Sequence, residues 1–123
     1  MRNFRNYQIW IDAVEFSVAI YQISRNFPNN ETYALANQIQ RASVSIASNV
    51  AEGCSRKSEM EFVYFLEIAI GSAFEVETQL LIANKLNYID SCQYALMADK
   101  LDLIEKNINH LITKIRFAIQ PNS

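Results

Sequence analysis

Apolar residues return at three- and four-residue steps through four long stretches of this chain, and little interrupts them. In 123 residues there are two glycines and two prolines. That spacing lays apolar side chains along one stripe of an α-helix, whereas a half-buried strand needs alternation by two. With so few turn-forming residues, the chain is left with a few long elements and short connections. No strand pattern and no low-complexity segment occurs. The length suffices for one domain around one continuous core.

The first helix is expected over about residues 7–26, with Ile9, Ala13, Phe16, Ile20, Ile23 and Phe27 as its seam. Pro28 stops it, because proline lacks the amide hydrogen and disfavours helical geometry at the residue before it. The second is expected over about 31–54, with Asn30 as N-cap, Leu35, Ile39, Ala42 and Ile46 inward, and Gly53 suited to its C-terminal end. The third, over about 58–86, opens on Ser58 and Glu61 at capping-box spacing and buries Phe62, Leu66, Ala69, Ala73, Val76 and Leu80. The fourth, over about 91–118, opens on Asp90 and Gln93 and buries Met97, Leu101, Ile104, Ile108, Leu111, Ile115 and Ala118, ending before Pro121. Each helix is about 30–42 Å long at 1.5 Å per residue. Short loops force antiparallel neighbours, and the reading is an all-α, up-down-up-down four-helix bundle over residues 1–123.

The third helix carries more apolar surface than a lone bundle needs. Beside its seam lie a flank with Phe65, Ile68 and Ile82 and another with Val63, Ile70, Phe74 and Leu81. A bundle helix touches two neighbours and keeps one side in water, so three apolar faces point to self-association, with Val63, Ile70, Phe74 and Leu81 as the expected interface. Gly71, mid-helix, costs about 1 kcal/mol relative to alanine, and close approach of another helix or of Trp10 would compensate.

One polar line runs through the apolar pattern. Arg41, Ser45, Asn49 and Glu52 share a stripe of the second helix, and Ser72, Glu75 and Gln79 share one on the third. If the stripes face each other, Arg41 pairs with Glu75 or Glu52, and the network fixes register. The rival reading takes Glu52 and Glu75 as paired carboxylates of a metal-assisted enzyme. Against it, the Glu-x-x-His pairs of di-metal bundles are missing, and no Ser-His-Asp order, glycine-rich phosphate loop or HExxH run occurs. Neither a cofactor nor a catalytic residue is expected.

Formal charge is −2 and the pI about 5.4, without the basic excess of a dedicated nucleic-acid binder. Lys106, His110 and Lys114 share a stripe near the end of the fourth helix. They complement its dipole or, with Arg116, Arg56 and Lys57, touch the phosphates of a nucleic acid. Tyr7, Trp10, Tyr21 and Tyr33 are expected in core and interface rather than as base-stacking platforms. Cys54 and Cys92 match no metal or redox spacing and are read as free thiols in a reducing cytoplasm. No signal-peptide core follows the N-terminus, because Asp12 and Glu15 interrupt it, and no apolar stretch is long enough to span a membrane.

Two of these stretches carry a resemblance. Gln38 to Gly53, QIQRASVSIASNVAEG, resembles the QxxRAxxSIxxNIAEG hallmark of the 23S ribosomal RNA intervening-sequence proteins. Phe65 to Leu80, FLEIAIGSAFEVETQL, resembles their second hallmark, FLxIAxGSAxELETQL. Trp10 and the Phe27-Pro28 step also fit. Ala47 stands where the family often has proline, Val50 where it often has isoleucine and Val76 where leucine is usual. The resemblance implies a bacterial cytoplasmic four-helix bundle without catalytic activity, and several such proteins assemble as ring-like pentamers. A related branch serves diversity-generating retroelements, binding nucleic acid and a reverse transcriptase, but that branch is strongly basic. The expectation is thus a non-enzymatic oligomeric scaffold, a homopentamer, with RNA, DNA or a ribonucleoprotein as candidate partner. A protein–protein adaptor is the alternative.

Overall fold

The computed structural model describes residues 2–119. They form four helices: α1 (Gln8–Ser24), α2 (Leu35–Cys54), α3 (Glu59–Lys85) and α4 (Ser91–Ile119), with 3-10 turns at Phe4–Asn6 and Asn29–Glu31. No strand occurs among the described residues, and the expected stop at Pro121 lies outside them. The helices pack in a square in which α2 joins α1 to α3 and α4 closes the ring, with α1–α4 the loosest seam. The core between them holds Phe16, Ile20, Ile39, Ile46, Phe62 and Leu66, each 2% exposed or less. The seams fall where the three-four spacing places them, except at the end of α1, where Ser24 is buried and Ile23 only half-buried, and in α4, where Ile112 is buried, Leu111 only half-buried and Ala118 exposed.

The turn between α3 and α4 follows directly from local chemistry. Ser58 Oγ accepts from the Glu61 amide at 3.0 Å at the start of α3. At the start of α4 the Gln93 amide donates to Asp90 Oδ1 at 2.7 Å while the Asp90 amide donates to Gln93 Oε1 at 3.0 Å, a complete capping box. Between them α3 ends with Asn87 at φ 63°, Tyr88 N–H reaching Ala83 O and Asn87 N–H reaching Asn84 O, the Schellman pattern with asparagine in the left-handed position.

The start of α2 departs from expectation. Asn30 does not cap it; residues 29–31 form a 3-10 turn and α2 begins at Leu35. Glu31 is drawn elsewhere, its Oε2 accepting from the Tyr88 hydroxyl at 2.8 Å and its Oε1 from the Leu35 amide at 3.5 Å. A tertiary bond to the α3–α4 turn thus holds the linker out of the helix. Both glycines also differ from expectation. Gly53 lies within α2 without a positive φ, and a Cβ there would stand 2.9 Å from Phe62 Cδ1 and 3.0 Å from Phe65 Cβ. Close approach of α3, not a left-handed turn, requires it. Gly71 has nothing within 4 Å, so neither Trp10 nor another helix of this chain uses the space.

Candidate functional site

The two polar stripes do face each other. Ser45 Oγ of α2 and Ser72 Oγ of α3 share a hydrogen at 2.8 Å, and Asn49 Nδ2 donates to Ser45 O at 2.8 Å and to Ser45 Oγ at 2.9 Å. This contact sets the register of the antiparallel pair. Counting from it at 1.5 Å per residue, Arg41 lies about 6 Å and Glu75 about 4.5 Å toward the same end, so they stand almost level. Both are exposed, and among the described residues neither comes within 4.0 Å of an opposite charge. The expected Arg41–Glu75 ion pair is therefore not formed. Instead the two charges border a groove of about 510 Å³ floored by Ala42, Ser45 and Ser72. Gln79 closes one end, its Oε1 out of water without a donor.

Glu52 takes no part. It lies about 10 Å from Ser45 in the opposite direction, and its Oε1 accepts from Arg56 Nη2 at 2.5 Å. The separation of Glu52 from Glu75, about 15 Å along the bundle, leaves no room for the paired-carboxylate reading. Among the described residues no three His, Cys, Asp or Glu side chains come together as a metal-binding group.

The expected interface divides. Val63 is 1% exposed and part of the core, and Ile70 is half-buried against it. Val63 is thus a core residue and not part of a surface. Phe74 and Leu81 stay outside at 52% and 42% exposure, joined by Ile82 and Leu86. A second apolar surface was legible only in part, through Trp10, Tyr21 and the small residues of α2: a shallow groove of about 510 Å³ between α1 and α2, lined by Trp10, Val14, Val18, Tyr21, Val44 and Ala47. Its signal was present as a second four-three stripe on α1, residues 14, 18 and 21. Tyr33, at 93% exposure, belongs to no core.

The candidate phosphate contacts do not form one patch. Lys106 pairs with Asp102 at 3.0 Å and Arg116 with Glu67 at 3.1 Å. Arg56 is bound to Glu52 and stacked on Phe65 at 4.6 Å. Lys57, His110 and Lys114 are exposed. The antiparallel order brings Lys57 and Lys114 to the end of the bundle that also carries Arg2 and Arg5. Arg2 is tied down there, donating to Arg56 O at 2.6 Å, lying over Phe62 at 4.5 Å and pairing with Glu59. Glu105, a residue no motif singled out, is buried in α4 with Oε2 unpartnered. Burial, then the nearby charges of Glu77 and Asp102, push its carboxyl up to about 7. Cys54 is buried, Cys92 exposed, and both are free thiols. No helix among the described residues is long and apolar enough to cross a membrane.

Four antiparallel helices packed around one core make this a small all-α bundle protein. The profile of the 23S rRNA-intervening sequence protein family matches residues 5–110, and the chain belongs to that family. A crystal structure of a protein of unknown function from the S23 ribosomal protein family of Bacteroides thetaiotaomicron is similar, with a TM-score of 0.79 and 27% identity over 85% of this chain and 97% of that one. No curated protein matches the chain significantly.

Proposed function

We propose that this protein is a non-enzymatic cytoplasmic scaffold whose copies close into a ring, five being the number the family resemblance implies, with RNA or a ribonucleoprotein as its partner. The observation that carries the reading is the pair of unlike apolar surfaces. The outer face of α3 presents Phe74 and Leu81, and the α1–α2 groove presents Val18 and Val44, 53% and 41% exposed. A ridge and a groove on different faces suit head-to-tail contact, which generates rings when the rotation closes. The family name supports the nucleic-acid partner, and Lys57 and Lys114 supply exposed cations at one end of the bundle.

Light scattering across micromolar concentrations tests the assembly. The native chain is expected to show a multimeric mass, and Phe74→Glu or Val18→Glu a monomeric one with its helicity kept. A monomeric native chain overturns the proposal. For the partner, titration with structured RNA at low salt is expected to give binding that weakens as salt rises and loses strength in Lys57→Gln/Lys114→Gln. Binding unaffected by those changes removes this end of the bundle from the interface.

A further inference from the structure

We propose that the α2–α3 groove binds a small zwitterion, the ammonium and carboxylate of a free amino acid or of a short peptide. The walls carry opposite charges at the same level, Arg41 on α2 and Glu75 on α3, and the cleft keeps them apart. Elsewhere on this surface opposite charges on different elements have closed on each other, as Arg116 has on Glu67 at 3.1 Å and Arg2 on Glu59. A guanidinium fork takes a carboxylate in two parallel hydrogen bonds. An ammonium brings three donors and no acceptor, and the Glu75 side of the groove answers with a carboxylate, the Ser72 hydroxyl and the Gln79 amide. Gln79 Oε1 now has no donor, and its terminal amide torsion is soft enough to turn that oxygen toward an incoming N–H. The floor, Ala42 with the Ser45–Ser72 hydroxyl pair, leaves space above it and offers groups that both donate and accept.

The same arrangement selects against other ligands. A phosphate or nucleic-acid strand entering the groove meets Glu75, and a lone cation meets Arg41, so each gains one charge contact and suffers one repulsion. A zwitterion gains both. The groove is separate from the apolar surfaces of the proposed assembly, so the two readings fail separately.

The test is a heteronuclear NMR titration of the full chain, following the Arg41 Nε–H and Gln79 side-chain amide signals. L-alanine and L-alanyl-L-alanine serve as probes, with N-acetyl-L-alanine and L-alaninamide as controls lacking one charge each. Both signals are expected to shift saturably, with a millimolar dissociation constant for at least one zwitterion. The tighter probe tells amino acid from peptide. Each singly charged control, and each of Arg41→Gln and Glu75→Gln, is expected to weaken binding about tenfold or more, one charge contact having been lost. Both replaced residues are exposed, and the melting temperature of each variant verifies its fold. No saturable shift with either zwitterion, or equal binding of the controls, overturns the proposal. So does a variant that changes the mass in light scattering, which would assign the groove to contact between copies.

Discussion

Replacing Gly53 by alanine measures how closely α2 and α3 are pressed together next to their turn. Alanine favours a helix interior by about 1 kcal/mol over glycine, so an uncrowded site would be stabilised. At Gly53 the added Cβ would stand 2.9 Å from Phe62 Cδ1, 3.0 Å from Phe65 Cβ and 3.3 Å from Phe62 O. The ring of Phe62 is 1% exposed and has nowhere to swing. The other two atoms move only with the backbone of α3. Overpacking of this kind costs about 1–3 kcal/mol, and the bite is at the upper end because a backbone atom is among the contacts. After the propensity gain, the net is a loss of about 1–2 kcal/mol, a fall in melting temperature of about 4–8 °C for a domain of this size. Urea unfolding followed by far-ultraviolet circular dichroism reads it directly. Gly71→Ala is the control: the same substitution, helical, with nothing within 4 Å, and expected to raise stability by about 1 kcal/mol. A Gly53→Ala variant as stable as the native chain, or shifted in the same direction as Gly71→Ala, refutes the argument from close approach.

Two further outcomes follow from the packing. The Glu105 carboxyl, pushed up to about 7 by burial and by Glu77 and Asp102, holds its proton in the fold at a pH where the unfolded chain has released it. Stability therefore falls as pH rises from about 4.5 through about 7, and Glu105→Gln removes that slope, gaining on the order of 1–2 kcal/mol at alkaline pH and little at pH about 4.5; equal slopes in chemical denaturation would contradict it. Tyr88→Phe deletes the 2.8 Å bond to Glu31 while keeping the ring 5.4 Å from Phe27. The expected loss in urea unfolding is about 1–2 kcal/mol, with the linker before α2 becoming exchangeable in hydrogen-exchange measurements.

Much of this architecture is legible in the residues. The four seams, the Ser58 N-cap and the Asp90–Gln93 capping box, and the antiparallel order all rest on local periodicity and short-range hydrogen bonding, which neighbouring residues decide. The stripes that meet at Ser45 and Ser72 are legible for the same reason, since a residue's face on a helix depends only on its spacing. Lateral order was the part out of reach. Val63 and Phe74 occupy the same flank of α3 and look alike in sequence, yet one is 1% exposed and the other 52%.

By itself, then, the sequence determined which residues share a face, where α3 and α4 begin, and which family the two hallmark stretches point to. Only the tertiary structure decided that Arg41 and Glu75 stay apart across a groove while Glu52 turns to Arg56. It alone showed that Gly53 serves close packing, that Glu31 leaves the helix for Tyr88, and that Glu105 is shut away from water. The physical reason is common to nearly all of these. Apart from the Glu52–Arg56 pair, a contact four residues apart, each depends on how segments distant in the chain are set against one another, which the summed packing of their surfaces determines and no single stretch of chain encodes.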